Sequence, residues 1–133
     1  MLGTTGTFVG TTRRLKELNP KIRCISLQPD SAFHGIEGTK HLATAIVPGI
    51  YDASLADQNL EITTEDAHVM ARRLAREQGL LVGVSAAAAL VGSLQIVERL
   101  KLELQKSDHC ATIVAVLPDS GDKYLSERFW QEG

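Results

Sequence analysis

The 133-residue chain has few of the residues that build secreted or membrane proteins. It contains two cysteines, Cys24 and Cys110, which is too few for a disulfide scaffold, and it does not open with the charged and apolar segments of a secretory signal. No apolar run reaches the roughly 18 residues needed to cross a bilayer. We therefore expect a cytoplasmic protein without membrane association, in which both cysteines are core residues beside strands.

The chain also lacks a strong excess of either charge. Its 14 basic and 16 acidic residues give a net charge of −2, and no long block carries a single sign. This pattern argues against a nucleic-acid-binding surface, although it is compatible with one small anionic ligand. The four histidines have neither i, i+4 spacing nor a Cys-x-x-Cys partner: His34, His41, His68 and His109. We predict no metal site. The length favours a single domain.

A glycine- and threonine-rich loop stands immediately before a helical pattern that runs from Phe8 to Leu18. Free backbone N–H groups and the helix dipole favour an anion at such a junction, so the loop predicts a phosphate site. It matches neither the Walker A motif nor the dinucleotide spacing G-x-G-x-x-G. The alternative interpretation is a tight turn before a helix. The loop residues are Gly3, Thr4, Thr5, Gly6 and Thr7.

Strand-like and helix-like segments alternate along the chain. The periodicity predicts helices over 8–18, from Thr63 to Gly79, and from Ser85 to Leu104, and strands over 22–27, 80–82 and 112–117. Residues 31–60 show no clean period, which indicates a long connection. The alternation predicts an α/β fold, a three-layer parallel sheet flanked by helices, with ligands at the carboxyl ends of the strands.

Four motifs occur in one order along the chain, namely Gly3–Thr7, 47–55, Gly83-Val84-Ser85 and 121–126. With them the whole chain resembles the C-terminal part of the cysteine synthase family, pyridoxal-phosphate enzymes of fold type II, and in particular its O-acetylserine sulfhydrylase (cysteine synthase B) branch. The resemblance implies that residues 1–133 form a single partial domain, most of the large domain of such an enzyme. The N-terminal, lysine-bearing half is then absent from this sequence.

The resemblance also implies roles for individual residues. The loop Gly3–Thr7 would hold the phosphate of pyridoxal phosphate, and Ser85 would hydrogen-bond the pyridine nitrogen. A neutral serine, unlike a carboxylate, would not keep that nitrogen protonated. The alternative for Ser85 is a helix N-cap. Ala87 stands where the family usually has glycine, and its methyl group is expected to crowd the backbone beside the ring.

No residue of this chain is predicted to be catalytic. In the family a lysine upstream of the phosphate loop binds the cofactor covalently, and none of the six lysines matches its motif: Lys16, Lys21, Lys40, Lys101, Lys106 and Lys123. We therefore expect pyridoxal phosphate to bind weakly or not at all to this chain alone. The chain alone is expected to be inactive in the family reaction, replacement of the acetoxy group of O-acetylserine by a sulfur nucleophile to give cysteine.

Two other functions fit the sequence. One is a non-catalytic phosphate-binding or assembly module derived from the same family. The other is an unrelated nucleotide-binding domain in which Asp30 would bind a ribose. About four sheet strands are expected, which leaves an uncovered strand edge, so the chain is predicted to form a homo-oligomer, with a dimer swapped through Ser31–Leu60 as one form. A separately encoded N-terminal half is the other expected partner.

Overall fold

The structure, a computed structural model, describes residues 1–104 and 110–131. Three α-helices and two β-strands make up its regular framework, with short 3₁₀ turns between and after them. In chain order the elements are α1 (Gly6–Leu18), β1 (Ile25–Pro29), β2 (Gln58–Ile62), α2 (Thr64–Gln78) and α3 (Val84–Leu104). The described residues therefore contain both helices and strands, as the sequence pattern predicts.

Helix α2 has the start and the stop that the sequence predicts. The Thr63 side chain accepts a hydrogen bond from the Asp66 N–H at 3.0 Å and so caps the first turn. Gly79 ends the helix with φ 66°, a left-handed conformation that costs glycine little. Both predicted helix boundaries are confirmed.

Strands β1 and β2 pair in parallel, with Ile25 opposite Gln58 and Pro29 opposite Ile62. One face of this two-stranded sheet carries polar cross-strand pairs. In one of them the Ser26 hydroxyl donates to Asn59 Oδ1 at 2.9 Å. The other side buries Leu27 beneath α3, where a Cβ on Gly92 would collide with the leucine side chain. The predicted α/β class with parallel strands and flanking helices is confirmed.

The core lies between the sheet and the helix pair α2–α3. It is built mainly from small side chains, which let the two helices approach closely. Those with no exposed surface are Ala67, Ala71, Ala86, Ala87 and Ala88. Leu60 and Ile62 of β2 contribute the larger side chains to the same cluster. This half of the molecule is tightly packed.

The extent of the sheet was predicted wrongly. The described residues contain two strands rather than about four, and β2 lies at the end of the segment 31–60, which was predicted as irregular. Of the predicted strand 80–82, Val82 forms only an isolated antiparallel bridge with Ser120. Residues 112–117 form no strand, because a strand requires a hydrogen-bonded neighbour.

The remaining sequence predictions have mixed outcomes. Cys24 is buried as expected, but Cys110 is exposed, since residues 110–117 pair with no strand of the described structure. Lys106 and His109 lie outside the described residues. Within the described ranges the structure has no cluster of metal-ligating side chains and no helix long and apolar enough to span a bilayer.

Candidate functional site

A cavity of about 530 Å³ opens between the start of α1, strand β1, helix α3 and the segment 113–119. It contains most of the residues that the sequence predicts as ligand contacts. Those lining it are Gly3, Thr4, Thr5, Thr7 and Ser85, whereas Gly6 begins α1 outside the lining. The tertiary structure therefore brings together two motifs that are almost eighty residues apart in the sequence. Asp30, the candidate ribose ligand, does not line this cavity.

Within the phosphate loop Gly3–Thr7, Thr5 adopts a left-handed conformation with φ 65° just before the first residue of α1. Its side chain is 3% exposed, does not cap the helix, and leaves the hydroxyl oxygen Oγ1 buried without a hydrogen-bond partner. The first helical hydrogen bond runs from the Val9 N–H to the Thr5 carbonyl at 2.9 Å. The N–H groups before Val9 thus have no partner within the helix.

Neighbouring backbone holds the loop in place. The Leu2 N–H donates to the Leu27 carbonyl of β1 at 2.7 Å, and the Leu2 carbonyl accepts from the Lys40 N–H at 2.8 Å. Gly3 lies so close to Gly38 that a Cβ atom would collide with the Gly38 carbonyl oxygen. Packing against Gly38 therefore requires glycine at position 3.

Ser85 is the second residue of α3 rather than its N-cap, so the capping alternative is wrong. Gly83 occupies the cap position, and its carbonyl accepts the Ala87 N–H at 3.0 Å. None of the side-chain hydrogen bonds among the described residues involves the Ser85 hydroxyl, which lines the cavity. Ala87 is buried in the α2–α3 core and does not line the cavity, so its methyl group does not crowd the site.

Sequence reasoning missed a carboxylate at the same end of the cavity. Asp119 lines it together with Tyr124, whose hydroxyl donates to Asp119 Oδ2 at 2.7 Å. This hydrogen bond, then burial, then the charges of Asp119 and Glu37 raise the pKa of Tyr124 to about 12. Asp119 Oδ1 is buried and has no partner. The signal available in the sequence was an acidic residue directly after a predicted strand, which was interpreted only as part of a turn.

The donor set at the loop fits a phosphate group. The Thr5 hydroxyl is buried and free to donate, the N–H groups at the start of α1 are available, and the helix dipole favours negative charge there. Among the described residues that line the cavity there is no lysine, arginine or histidine. The described part of the site can therefore bind an anion through hydroxyl and backbone N–H donors, and none of its described lining residues has a side chain that carries an amine.

Comparison with known sequences gives a consistent result. The family model described as "Pyridoxal-phosphate dependent enzyme" matches residues 1–119. The chain is 44% identical over 131 residues to a cysteine synthase of Aquifex aeolicus (strain VF5), covering 98% of this chain and 39% of the relative. It is 40% identical over 125 residues to cysteine synthase B of Pseudomonas aeruginosa, covering 94% of this chain and 39% of that protein. The predicted resemblance is confirmed.

Solved structures agree with the sequence comparison. Cysteine synthase from Entamoeba histolytica superposes with a TM-score of 0.84 at 30% identity, over 99% of this chain and 39% of that one. An O-ureido-L-serine synthase gives a TM-score of 0.83 at 31% identity, over 98% of this chain and 41% of that one. The chain spans about 39% of the length of the curated relatives given above. This chain belongs to the family of pyridoxal-phosphate dependent enzymes.

Proposed function

We propose that the chain supplies the phosphate-binding and ring-nitrogen side of a pyridoxal phosphate site of the cysteine synthase type. The parent reaction is the replacement of the acetoxy group of O-acetylserine by a sulfur nucleophile, giving cysteine. The observation that carries this proposal is the buried, unpartnered hydroxyl of Thr5, which lines the same cavity as Ser85. A donor without a partner at a helix start is suited to an incoming phosphate.

Different residues bind the phosphate and the ring of the cofactor. The backbone of Gly3–Thr7 and the Thr5 hydroxyl hold the phosphate, and the Ser85 hydroxyl lies where a ring nitrogen can form a hydrogen bond. When bound, pyridoxal phosphate supplies an aldehyde that reacts with amines and a conjugated ring that withdraws electrons from them. Leu27 of β1 and Ala89 of α3 add apolar walls to the cavity, which exclude water from the ring.

We infer that the chain alone is inactive and holds the cofactor weakly, because no described residue lining the cavity carries an amine side chain. In this proposal residues 1–133 are the C-terminal part of a large domain, and a lysine-bearing N-terminal half completes the site. That half is encoded elsewhere or belongs to the same protein. The protein works in the cytoplasm, as its relatives' small-molecule chemistry and its composition favour.

A second candidate function is a non-catalytic phosphate-binding or assembly module. The observation that favours it is the apolar segment 113–117, in which Val114 is 83% exposed and Val116 64% exposed. Such a segment favours association, either in a homo-oligomer, including a dimer swapped through Ser31–Leu60, or with a longer enzyme. Light scattering after size exclusion over a range of concentrations tests the homo-oligomer, and a dilution-independent monomer would exclude self-association.

The cofactor proposal is tested by titrating the purified chain with inorganic phosphate and with pyridoxal phosphate. We expect both to bind with comparable affinity, because the phosphate contributes most of the contacts. Thr5→Val keeps the side-chain shape but removes the hydroxyl, and should weaken both ligands by about tenfold or more, since hydrogen bonds to charged groups contribute about 1.5–3 kcal/mol. Thr112→Val, at an exposed threonine that does not line the cavity, is the matched control.

Two results would contradict the proposal. The first is a wild-type chain that binds neither ligand, and the second is a Thr5→Val chain that binds both unchanged. Borohydride treatment of the pyridoxal phosphate complex tests whether the catalytic amine lies on this chain or on the N-terminal half. We expect sparse labelling of surface lysines, and one dominant labelled lysine, or cysteine formation from O-acetylserine and sulfide by the chain alone, would show that this chain carries the catalytic amine.

A further inference from the structure

One carboxylate on the lining of the cavity has no cationic partner. Glu37 lines the cavity and is exposed to solvent. Among the described residues no hydrogen bond or ion pair involves its side chain, although Lys40 is three residues away. The charge of Glu37 nevertheless acts inside the site, because it contributes to the raised pKa of Tyr124.

The turn that carries Glu37 is fixed in place. Ile36 has no exposed surface and belongs to the core cluster, and its carbonyl accepts the Thr39 hydroxyl at 2.6 Å. Gly38 has φ 72°, a left-handed conformation that glycine adopts at little cost. Glu37 therefore lies between a buried anchor and a tightly turned glycine, so its backbone has a defined position on the cavity rim.

The same turn contacts the phosphate loop. The Gly38 carbonyl oxygen is so close to Gly3 that a Cβ atom there would collide with it. The Lys40 N–H donates to the Leu2 carbonyl at 2.8 Å. Glu37 is thus the neighbour of a residue in direct contact with the loop. A carboxylate near an anion site weakens the binding of a simple anion, because like charges repel. A ligand that carries a positive charge beside its phosphate turns this repulsion into attraction.

We propose that Glu37 is a specificity residue, which favours phosphorylated pyridines that carry an ammonium group over neutral ones. This inference rests on the proposed function, since it takes the loop Gly3–Thr7 as the anchor of the phosphate. In pyridoxamine 5′-phosphate the ring carbon that bears the aminomethyl group is next to the carbon that bears the phosphate arm. The ammonium group therefore stays close to the phosphate, as Glu37 stays close to the loop.

The test compares two probes that differ in one group, pyridoxamine 5′-phosphate with an ammonium and pyridoxine 5′-phosphate with a hydroxyl. Neither has an aldehyde, so calorimetric titration reports binding without covalent chemistry. At neutral pH we expect the wild-type chain to bind the amine about two- to fivefold more tightly, the range of an exposed ion pair. Added salt should reduce this preference, because screening weakens interactions between exposed charges.

A charge-removing variant separates recognition from folding. Glu37→Gln keeps the size of the side chain, and we expect it to bind the two probes equally. It should also bind inorganic phosphate about twofold more tightly than the wild type, since the repulsion is removed. A damaged fold would weaken every ligand, so these opposite signs report the charge itself.

Glu17→Gln is the matched control. It removes the same charge from an exposed side chain in the last turn of α1, which does not line the cavity, and should leave the preference for the amine unchanged. Thermal unfolding of each variant establishes that it is folded. The salt dependence of the wild-type chain tests the role of charge without any substitution.

The outcomes distinguish the two proposals. A wild-type chain that binds both probes equally, or a Glu37→Gln chain that keeps the preference for the amine, overturns the role of Glu37 and leaves the phosphate site standing. A wild-type preference that salt does not reduce overturns it as well. A wild-type chain that binds neither probe nor inorganic phosphate overturns both proposals.

Discussion

Two regions of this molecule, both of which contain branched apolar residues, differ sharply in how they are packed. In the helix–sheet region, formed by β1, β2, α2 and α3, residues such as Ile62 are 1% exposed. In the cavity region, formed by the loop 3–7 and the segments 113–119 and 121–124, Val114 is 83% exposed and two polar atoms lack partners. Apolar side chains are thus buried in the helix–sheet region and partly exposed in the cavity region. The buried polar atoms without a hydrogen-bond partner lie in the cavity region.

The difference lies in neighbours rather than in residue type. Strands β1 and β2 have each other, and helices α2 and α3 bury small residues against one another. Residues 113–117 have no strand beside them in the described structure, and Thr5 and Asp119 face a cavity. Unsatisfied groups concentrated around one cavity are typical of a binding site, whereas unsatisfied groups in a core would only destabilise it.

The largest effect that sharpens this contrast is expected from Ile62→Ala. Ile62 belongs to the core cluster, so its truncation leaves a cavity and should lower the free energy of unfolding by about 2–5 kcal/mol. Val114→Ala, at the exposed segment, should change it by less than about 0.5 kcal/mol. Urea unfolding measures both. A large loss at Val114 would show that the segment is covered in solution.

Gly3→Ala is expected to have the next largest effect. The added Cβ collides with the backbone oxygen of Gly38, which cannot rotate away, so we expect a loss of about 1–3 kcal/mol in unfolding free energy together with weaker phosphate binding. Gly10→Ala in α1 is the matched control, because nothing lies within 4 Å of its Cβ position. Since alanine favours a helix, that variant should gain about 0.5–1 kcal/mol. Equal effects at both glycines would contradict the packing of the loop.

Tyr124 provides a spectroscopic measure of the cavity region. Its pKa is raised from 10.0 to about 12, so the phenol should ionise well above a free tyrosine in an ultraviolet pH titration. The associated stability is fully present below pH 10 and is lost as the pH rises through about 12. Asp119→Asn removes the accepting carboxylate charge and should return the midpoint toward 10. An unchanged midpoint would show that the Tyr124–Asp119 hydrogen bond is not formed.

The smallest effect is expected where α1 joins the sheet. Asp57 Oδ2 accepts the Lys16 ammonium at 2.6 Å and the Cys24 N–H at 2.7 Å, and these contacts hold the pKa of Asp57 below its usual 3.8. A depressed carboxyl pKa stabilises the fold above pH 3.8, and the stability is lost as the pH falls through the lower folded value. Because both side chains keep contact with water, with Lys16 26% and Asp57 34% exposed, the ion pair is screened and we expect Asp57→Asn to cost less than about 1 kcal/mol at neutral pH.

Unfolding free energies measured from neutral to acidic pH test this assignment. The wild type should lose its advantage over Asp57→Asn as the acid end is approached, and the two curves should converge. An Asp30→Asn variant, at an exposed carboxylate after β1, serves as the control. Parallel curves for the wild type and Asp57→Asn would contradict it.

Local signals predicted the helices well. Thr63 and Gly79 bound α2 because capping depends on residues within one turn of the helix end. The loop before α1 was predicted for the same reason, since Thr5 and its neighbours precede a regular helical pattern. Strands were harder to predict. Residues 58–62 alternate weakly with polar side chains and yet pair with β1, while the more apolar 112–117 has no partner.

The candidate site was predicted in part. The glycine and threonine loop and Ser85 were each identified from the sequence, and the structure places most of them around one cavity. Their assignment to a cofactor stays a prediction. Asp119 was missed because its distinguishing features, the contact with Gly83, the hydrogen bond from Tyr124 and the free oxygen, depend on packing between distant segments.

The sequence by itself determined the family, the helix boundaries and the phosphate loop, because these depend on motifs and on hydrogen bonds made within a few residues. Only the tertiary structure decided which apolar segments are buried, that the loop and Ser85 face one cavity, and that Asp119 has an oxygen without a partner there. Burial and hydrogen-bond satisfaction depend on what packs against a residue from far along the chain. That information is not contained in any local pattern.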